Sequence, residues 1–306
     1  MKILGQASEL AGRKVCLAIG VFDGVHLGHQ QVLRQTITDA HQHSALAVAI
    51  TFDRHPNAVV APERTPPLIY SLSQKLRAIA APGIDATLVV HFDHAFSQIP
   101  AQDFVRGLAR DFGLIHSICV GASFTFGHKR GGNVALLTSL GKELGFVVHG
   151  LAAVSLDGKT VSSTRIRNAI REGNLDAASQ MLGRAYSIAG RVTHGDGLGR
   201  QLGVPTANID VAGLILPPNG VYAAHAQAQG ETFPAAVNIG IRPTLANTQP
   251  PIRVEAHLLD FEGDLYDQEL ELTLVEKLRD EQKFASLEAL KAKIQRDLAE
   301  TRERLH

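Results

Sequence analysis

Three stretches of this 306-residue chain combine residue types and spacings that could do chemistry. The first is "GVFDGVHLGH", residues 20–29, where an apolar run breaks into Asp23, Gly24, His26, Gly28 and His29. The two glycines permit close backbone approach or unusual dihedrals. A helix starting near Gly28 would offer an anion its free N–H groups and the positive end of its dipole. Imidazoles placed there can donate hydrogen bonds to phosphoryl oxygens, and no side chain need be a nucleophile. The same residues also suit an ordinary polar loop, or a zinc ion held by both histidines and Asp23. Metalloprotease helices, however, space their histidines by four around a Glu, which is absent here. The G-x-G-x-x-G spacing of a dinucleotide fold is also missing.

The second stretch is "VSSTRIRNAI", residues 161–170. Ser162, Ser163 and Thr164 precede a predicted helix and can cap it. Arg165 and Arg167 in its first turn oppose the helix dipole, which makes better sense if phosphate shares the site and pairs with them. The third is "GDGLGRQLGVPTANID", residues 195–210, whose glycines at 195, 197, 199 and 203 could cradle phosphate or simply join two strands. It is not a Walker loop, since G-x-x-x-x-G-K-[ST] does not occur. Arg200 is a candidate to orient phosphate. The oxygens of Thr206 and Asn208 suit a hard cation such as Mg2+ bridging ATP phosphates. Further on, "VEAHLLD" places Glu255 on a predicted strand. There it is either an exposed carboxylate or a base for a reaction that phosphorylates an alcohol.

The elements that must carry these residues fall into two patterns. Up to about residue 183, short apolar runs ("VCLAIGVF", "LAVAITF", "ATLVVHF", "HSICVG", "FVVHGLAAV") alternate with helical stretches such as "HQQVLRQTITDAHQ" and "AQDFVRGLARDFG". Continuous apolar strands separated by helices predict a Rossmann-like parallel sheet covered on both faces. Such sheets bind ligands beyond the carboxyl ends of their strands, where 23–29 lies. From 184 to 306 the strand-like runs follow one another without helices, and "IRVEAHLL" alternates apolar with polar. This predicts a small antiparallel barrel or sandwich. A charged amphipathic helix closes the chain from about Phe284, with Leu287, Leu290, Ile294 and Leu298 as its apolar stripe. The expected domains are therefore 1–183 and 184–306.

Hydrophobic residues make up 45% of the chain, enough for real cores, and the formal net charge is zero. Zero net charge argues against nonspecific nucleic-acid binding, which needs surplus cations to displace counterions. Cys16 and Cys119 each sit in an apolar run and read as buried thiols, consistent with a reducing compartment. "MKILGQASEL" lacks the pattern of a secretory signal, and no apolar run is long enough to span a membrane. These features point to a cytoplasmic protein with small-molecule partners.

"GVFDGVHLGH" with "SSTRIR" resembles the nucleotidyltransferase superfamily that carries an H-x-G-H motif. "TFDRHP", "VGASFTFG", "GRVTHGDGLGRQLGVPTAN", "LPPNGVY", "NIGIRPT" and "VEAHLLDFEGDLY" resemble, in order, the signatures of the bifunctional bacterial riboflavin kinases and FAD synthetases. The resemblance covers essentially the whole chain. It implies adenylylation of FMN to FAD by the first domain and phosphorylation of riboflavin to FMN by the second, with ATP and Mg2+. It implies that His26 and His29 stabilise charge at the α-phosphorus. Ser163, Thr164 and Arg167 would hold the triphosphate, with Asp23 a weaker candidate for nucleotide or metal contact. It further implies that Thr206 and Asn208 serve metal and nucleotide, and that Glu255 is the base.

Three positions depart from the family pattern. Ser123 stands where an acid or amide is common, putting a flavin or adenine contact at stake. Arg54 stands where Pro is frequent, and Asp267 where Gly is frequent. A different nucleotidyltransferase fused to an inert barrel would not need Glu255 or the P-T-A-N segment. A flavin sensor without turnover would not need the phosphate-handling residues.

Overall fold

In the computed structural model the residues described are 1–195, 197, 199, 203–241 and 252–305. The chain divides after Ser163 into two compact units.

The first unit is built on six parallel strands: β1 (Lys2–Leu4), β2 (Lys14–Ile19), β3 (Leu46–Phe52), β4 (Ala86–Val90), β5 (Leu114–Gly121) and β6 (Val147–Leu151). They lie in the order β1-β4-β3-β2-β5-β6. Alternation along β2 splits its side chains between two cores. Val15, Leu17 and Ile19 pack with Val105, Leu108 and Phe112 of α3 (Ala101–Phe112) and with Leu137 and Leu140 of α4 (Val134–Leu144). Cys16 and Ala18 pack with Val32, Leu33 and Ala40 of α1 (Leu27–Gln42) and with Ile79 of α2 (Leu72–Ala80). Each buried Val, Leu, Ile or Phe among these contributes roughly 1.5–3 kcal/mol, so both faces of the sheet are held. Cys16 and Cys119 are buried and free, as expected. The chain leaves β2 for β3 on one side and returns to β5 on the other, so the carboxyl end of β2 is a topological switch point, where such sheets form ligand crevices.

The division falls one residue into α5 (Ser163–Arg171), and the second unit continues with α6 (Leu175–Leu182), which ends on Gly183 in the left-handed region (φ 69°). Six antiparallel strands follow: β7 (Ser187–Thr193), β8 (Ala207–Ile209), β9 (Gly220–Ala228), β10 (Glu231–Ile241), β11 (Ile252–Leu258) and β12 (Glu269–Arg279). They close a barrel in the order β7-β8-β11-β10-β9-β12, which settles barrel over sandwich. The last helix, α7, spans Leu287–Leu305. The expected stripe lies on its buried side: Leu290, Ile294 and Leu298 are half-buried and share that side with the buried Asp297 and Thr301, while Leu287 in the first turn is 59% exposed. The unexpected member of that side is the carboxylate of Asp297. Arg279, at the end of β12, donates from Nε and Nη2 to the Asp297 carboxylate at 2.7–3.0 Å, and Lys293 adds a contact at 3.0 Å. That pairing compensates the desolvation of the carboxylate and sets which side of the helix faces the barrel.

Candidate active sites

The loop after β2 is held in unusual backbone geometry. Phe22 (φ 52°), Gly24 (φ 75°) and Val25 (φ 38°) all have positive φ. A β-branched residue at such a φ costs energy that only the surroundings can hold in place, as is common where a loop serves a site. The turn delivers His26 to the N-cap of α1, where its Nδ1 accepts from the His29 amide at 3.4 Å. His26 and His29 stack with ring centroids 3.7 Å apart, and Phe22 meets His29 edge-on at 5.3 Å. Gly28 lies close against the stack, where a Cβ would come within 3.3 Å of the His26 ring.

Both imidazoles and Gly28 line a cavity of about 1090 Å³ in the first unit, which Ser123 also lines. Among its lining residues are five histidines (His26, His29, His55, His94 and His128), Lys129 and Arg130, and no Asp or Glu. Phe52, Phe92, Phe96, Phe104, Phe126 and Phe124 form a chain of ring contacts along it, with successive centroids 5.3–6.1 Å apart. The cavity therefore combines donors and cations with an aromatic wall, which suits a ligand that is both anionic and aromatic.

Asp23, an expected nucleotide contact, is placed elsewhere. It is buried, and its carboxylate accepts from the amides of Ile69 (3.0 and 3.2 Å) and Tyr70 (3.3 Å). Gly24 lies against Ile69, so both residues clamp the approach to α2 rather than line the cavity. Ser163 Oγ donates to the Asp23 carbonyl at 3.2 Å, and Ser162 lines the cavity. Thr164 is exposed, while Arg167 is buried. Arg167 lies four residues beyond Ser163 on the same face of α5.

Two residues that motif-reading did not single out belong to this neighbourhood. Lys75, buried on α2, donates from Nζ to the carbonyls of Phe52 (2.6 Å) and Val21 (3.4 Å). Burial pushes its ammonium down to about 8, with Asp23 and Asp53 opposing that shift. Burial raises the Asp53 carboxyl, but hydrogen bonds from the Phe92 amide, Arg54 and His91 outweigh this and bring it to about 2. The available signal for Lys75 was the capping box of Ser71 and Gln74, which starts α2.

In the second unit the P-T-A-N segment leads into β8, whose first two residues are its Ala207 and Asn208, and the barrel aligns polar residues there. Asn208 stands directly opposite Glu255 on β11, and Glu255 directly opposite Asn238 on β10. Val254, Ala256 and Leu258 point inward and are buried, so Glu255 belongs to the outer face, half-buried. The glycines press on the same segment. A Cβ on Gly195 would meet Asn208 Nδ2 at 2.1 Å, and one on Gly199 would meet Thr206 Oγ1 at 3.0 Å. His257, two residues beyond Glu255, contacts the Pro205 carbonyl through Nδ1 at 2.7 Å. Thr206, Asn208, Gly195 and Glu255 are thus brought together. Arg200, the candidate to orient phosphate, lies outside the described residues.

Residues 9–165 match the family model "FAD synthetase", and residues 182–305 match "Riboflavin kinase". The bifunctional riboflavin kinase/FMN adenylyltransferase of Pseudomonas fluorescens is 40% identical over 94% of this chain and 92% of its own length. Its counterpart from Escherichia coli K12 is 38% identical over 94% and 91%. The chain belongs to this family. Its FAD synthetase part is N-terminal and its flavokinase part C-terminal. A crystal structure from Streptococcus pneumoniae named a macrolide-efflux protein is also similar, at TM-score 0.80 and 26% identity over 98% of both chains. Among the described residues here, no helix is long and apolar enough to cross a membrane.

Proposed function

We propose how the two activities of this family divide among the residues of this chain. The observation that carries the reading is the first-unit cavity, which joins paired imidazoles, further cations and a phenylalanine wall with no carboxylate among its described lining residues. At about 1090 Å³ it exceeds the roughly 300–1,000 Å³ of single-ligand pockets, as two substrates held together require. FMN and ATP bind there, the isoalloxazine against the phenylalanines and the phosphates toward His26 and His29. An FMN phosphate oxygen attacks the α-phosphorus of ATP, and pyrophosphate leaves. The imidazoles donate to the oxygens of the pentacoordinate phosphorus, where charge accumulates, so they act by electrostatic preorganisation. Gly24 and Gly28 shape the loop, Ser163 serves the triphosphate, a role the family's S-S-T-x-x-R motif also gives to Thr164 and Arg167, and Ser123 contacts flavin.

In the second unit, Glu255 accepts the proton of the ribityl 5′-hydroxyl as that oxygen attacks the γ-phosphorus of ATP, and ADP leaves. Gly195 and Arg200 belong to the phosphate loop. Thr206 and Asn208 would hold Mg2+. No group of three His, Cys, Asp or Glu among the described residues could hold a metal alone. Neutral oxygen donors that share the ion with nucleotide phosphates fit Mg2+ in particular. When bound, the ion neutralises charge on the phosphates. We place the functional boundary at 183/184, where Gly183 ends α6 and close to where the flavokinase match begins. Two buried free cysteines support a cytoplasmic location.

Incubation with riboflavin, ATP and Mg2+, followed by separation of the flavins, tests the whole reading. FMN and FAD together are expected. FMN without FAD would remove the role given to the first-unit cavity, and neither product would remove both roles.

A further inference from the structure

We infer that Lys75 is a positioning residue for adenylyl transfer, a buried cation that ties the ends of β2 and β3 together beneath the first-unit cavity. The inference rests on the reading of that cavity as the FMN adenylylation site.

The two carbonyls that Lys75 Nζ contacts, Phe52 (2.6 Å) and Val21 (3.4 Å), come from different segments, the end of β3 and the loop after β2. Phe52 is the last residue of β3, Val21 opens the loop that carries His26 and His29, and both line the cavity. The helix bearing Lys75 is itself fixed from the other side. The Asp23 carboxylate takes the amides of Ile69 and Tyr70, the two residues before the Ser71 cap. Asp23 sits two residues beyond Val21. One end of α2 is thus gripped by an anion of the imidazole loop, while the cation on its first turns grips the backbone of that same loop. Neither charged group lines the cavity.

A buried ammonium is costly, and a neutral residue of similar length would fill the same space at lower cost. Its position explains why a charge is kept there. Two fixed carbonyls hold the imidazole loop against β3, and a positive charge in a low-dielectric wall acts on phosphates more strongly than one in water. No other lysine or arginine in the first unit is buried to this degree.

The test compares Lys75→Gln, Lys75→Met and Lys75→Arg in the full chain. Each is assayed for FMN adenylylation and riboflavin phosphorylation, with thermal unfolding as the check on folding. Lys75→Gln and Lys75→Met should lower kcat for FAD formation at least tenfold with KM for FMN and ATP within about threefold. Riboflavin phosphorylation should stay within about twofold. Lys75→Arg, which keeps the charge, should recover most of the lost kcat. Three outcomes would overturn the inference: Gln retaining wild-type kcat, a loss confined to KM, or Arg no better than Gln. Variants that all fail to fold would make Lys75 a fold residue and would overturn it equally. If the wild-type chain made FMN but no FAD, the reading of the cavity would fail instead, and that result is visible before any variant is measured.

Discussion

Gly195 offers a sharp test of the kinase site, because replacing it by Ala should injure one side chain and little else. A Cβ at 195 would lie 2.1 Å from Asn208 Nδ2 and 2.7 Å from its Cγ. Ordinary contact begins near 3.4 Å, so the amide must move by more than an ångström. The obstacle is the end of a side chain, and Asn208 can turn aside without disturbing the β8 backbone. Misplacing a reacting or positioning group by about 1 Å costs on the order of 100-fold in rate, or about 3 kcal/mol of transition-state stabilisation. Gly195→Ala should therefore lower kcat/KM for riboflavin phosphorylation by about 100-fold, leave FMN adenylylation unchanged and shift Tm by no more than a few degrees. A double-mutant cycle with Asn208→Ala isolates the cause. Once the amide is gone, adding Ala at 195 should cost little more. Wild-type kinetics for Gly195→Ala, or full additivity of the two losses, would refute the reasoning.

Lys75 and Asp297 extend the account to stability. The Lys75 ammonium ordinarily titrates at 10.5 and is brought to about 8 by burial, so the unfolded chain binds more protons between those values. The charged form is a destabilising term fully present below about pH 8 and relieved as pH rises toward 10.5, worth about 3 kcal/mol in full. In urea unfolding, wild type should gain on Lys75→Met between pH 7 and pH 10, whereas a pH-independent gap would contradict the assignment. Asp297→Ala leaves the Arg279 guanidinium without its buried carboxylate and should destabilise the second unit by about 3 kcal/mol. A loss below 1 kcal/mol would show that solvent replaces the pair.

Much of this architecture could be read from periodicity. The apolar runs at β2 to β6 and the antiparallel strands of the barrel follow from alternation and turn residues, and α1 begins within a residue of its expected start. Short or interrupted elements escaped. β1 is three residues long, and α2 buries Gln74 and Lys75 where an apolar stripe would be sought. The closing helix and most of its buried side were legible, since Leu290, Ile294 and Leu298 are half-buried, but the buried Asp297 among them was not, because it answers an arginine eighteen residues away and not the local pattern. The paired histidines, the P-T-A-N segment and Glu255 stood out through their resemblance to a family's motifs, since their types and spacing alone also suited a polar loop or an exposed strand carboxylate. Asp23 was not, since its partners are backbone amides 46 and 47 residues away. The phenylalanine wall gathers residues from 52 to 126, and only the fold brings them into one line.

The most direct measurement is flavin product analysis of two variants, His29→Ala and Glu255→Gln, each supplied first with riboflavin and then with FMN. His29→Ala should convert riboflavin to FMN and stop there. Glu255→Gln should leave riboflavin untouched yet turn added FMN into FAD. A folded His29→Ala protein that still makes FAD, or either folded variant losing both conversions, would contradict the division of two phosphoryl chemistries between two separate sites.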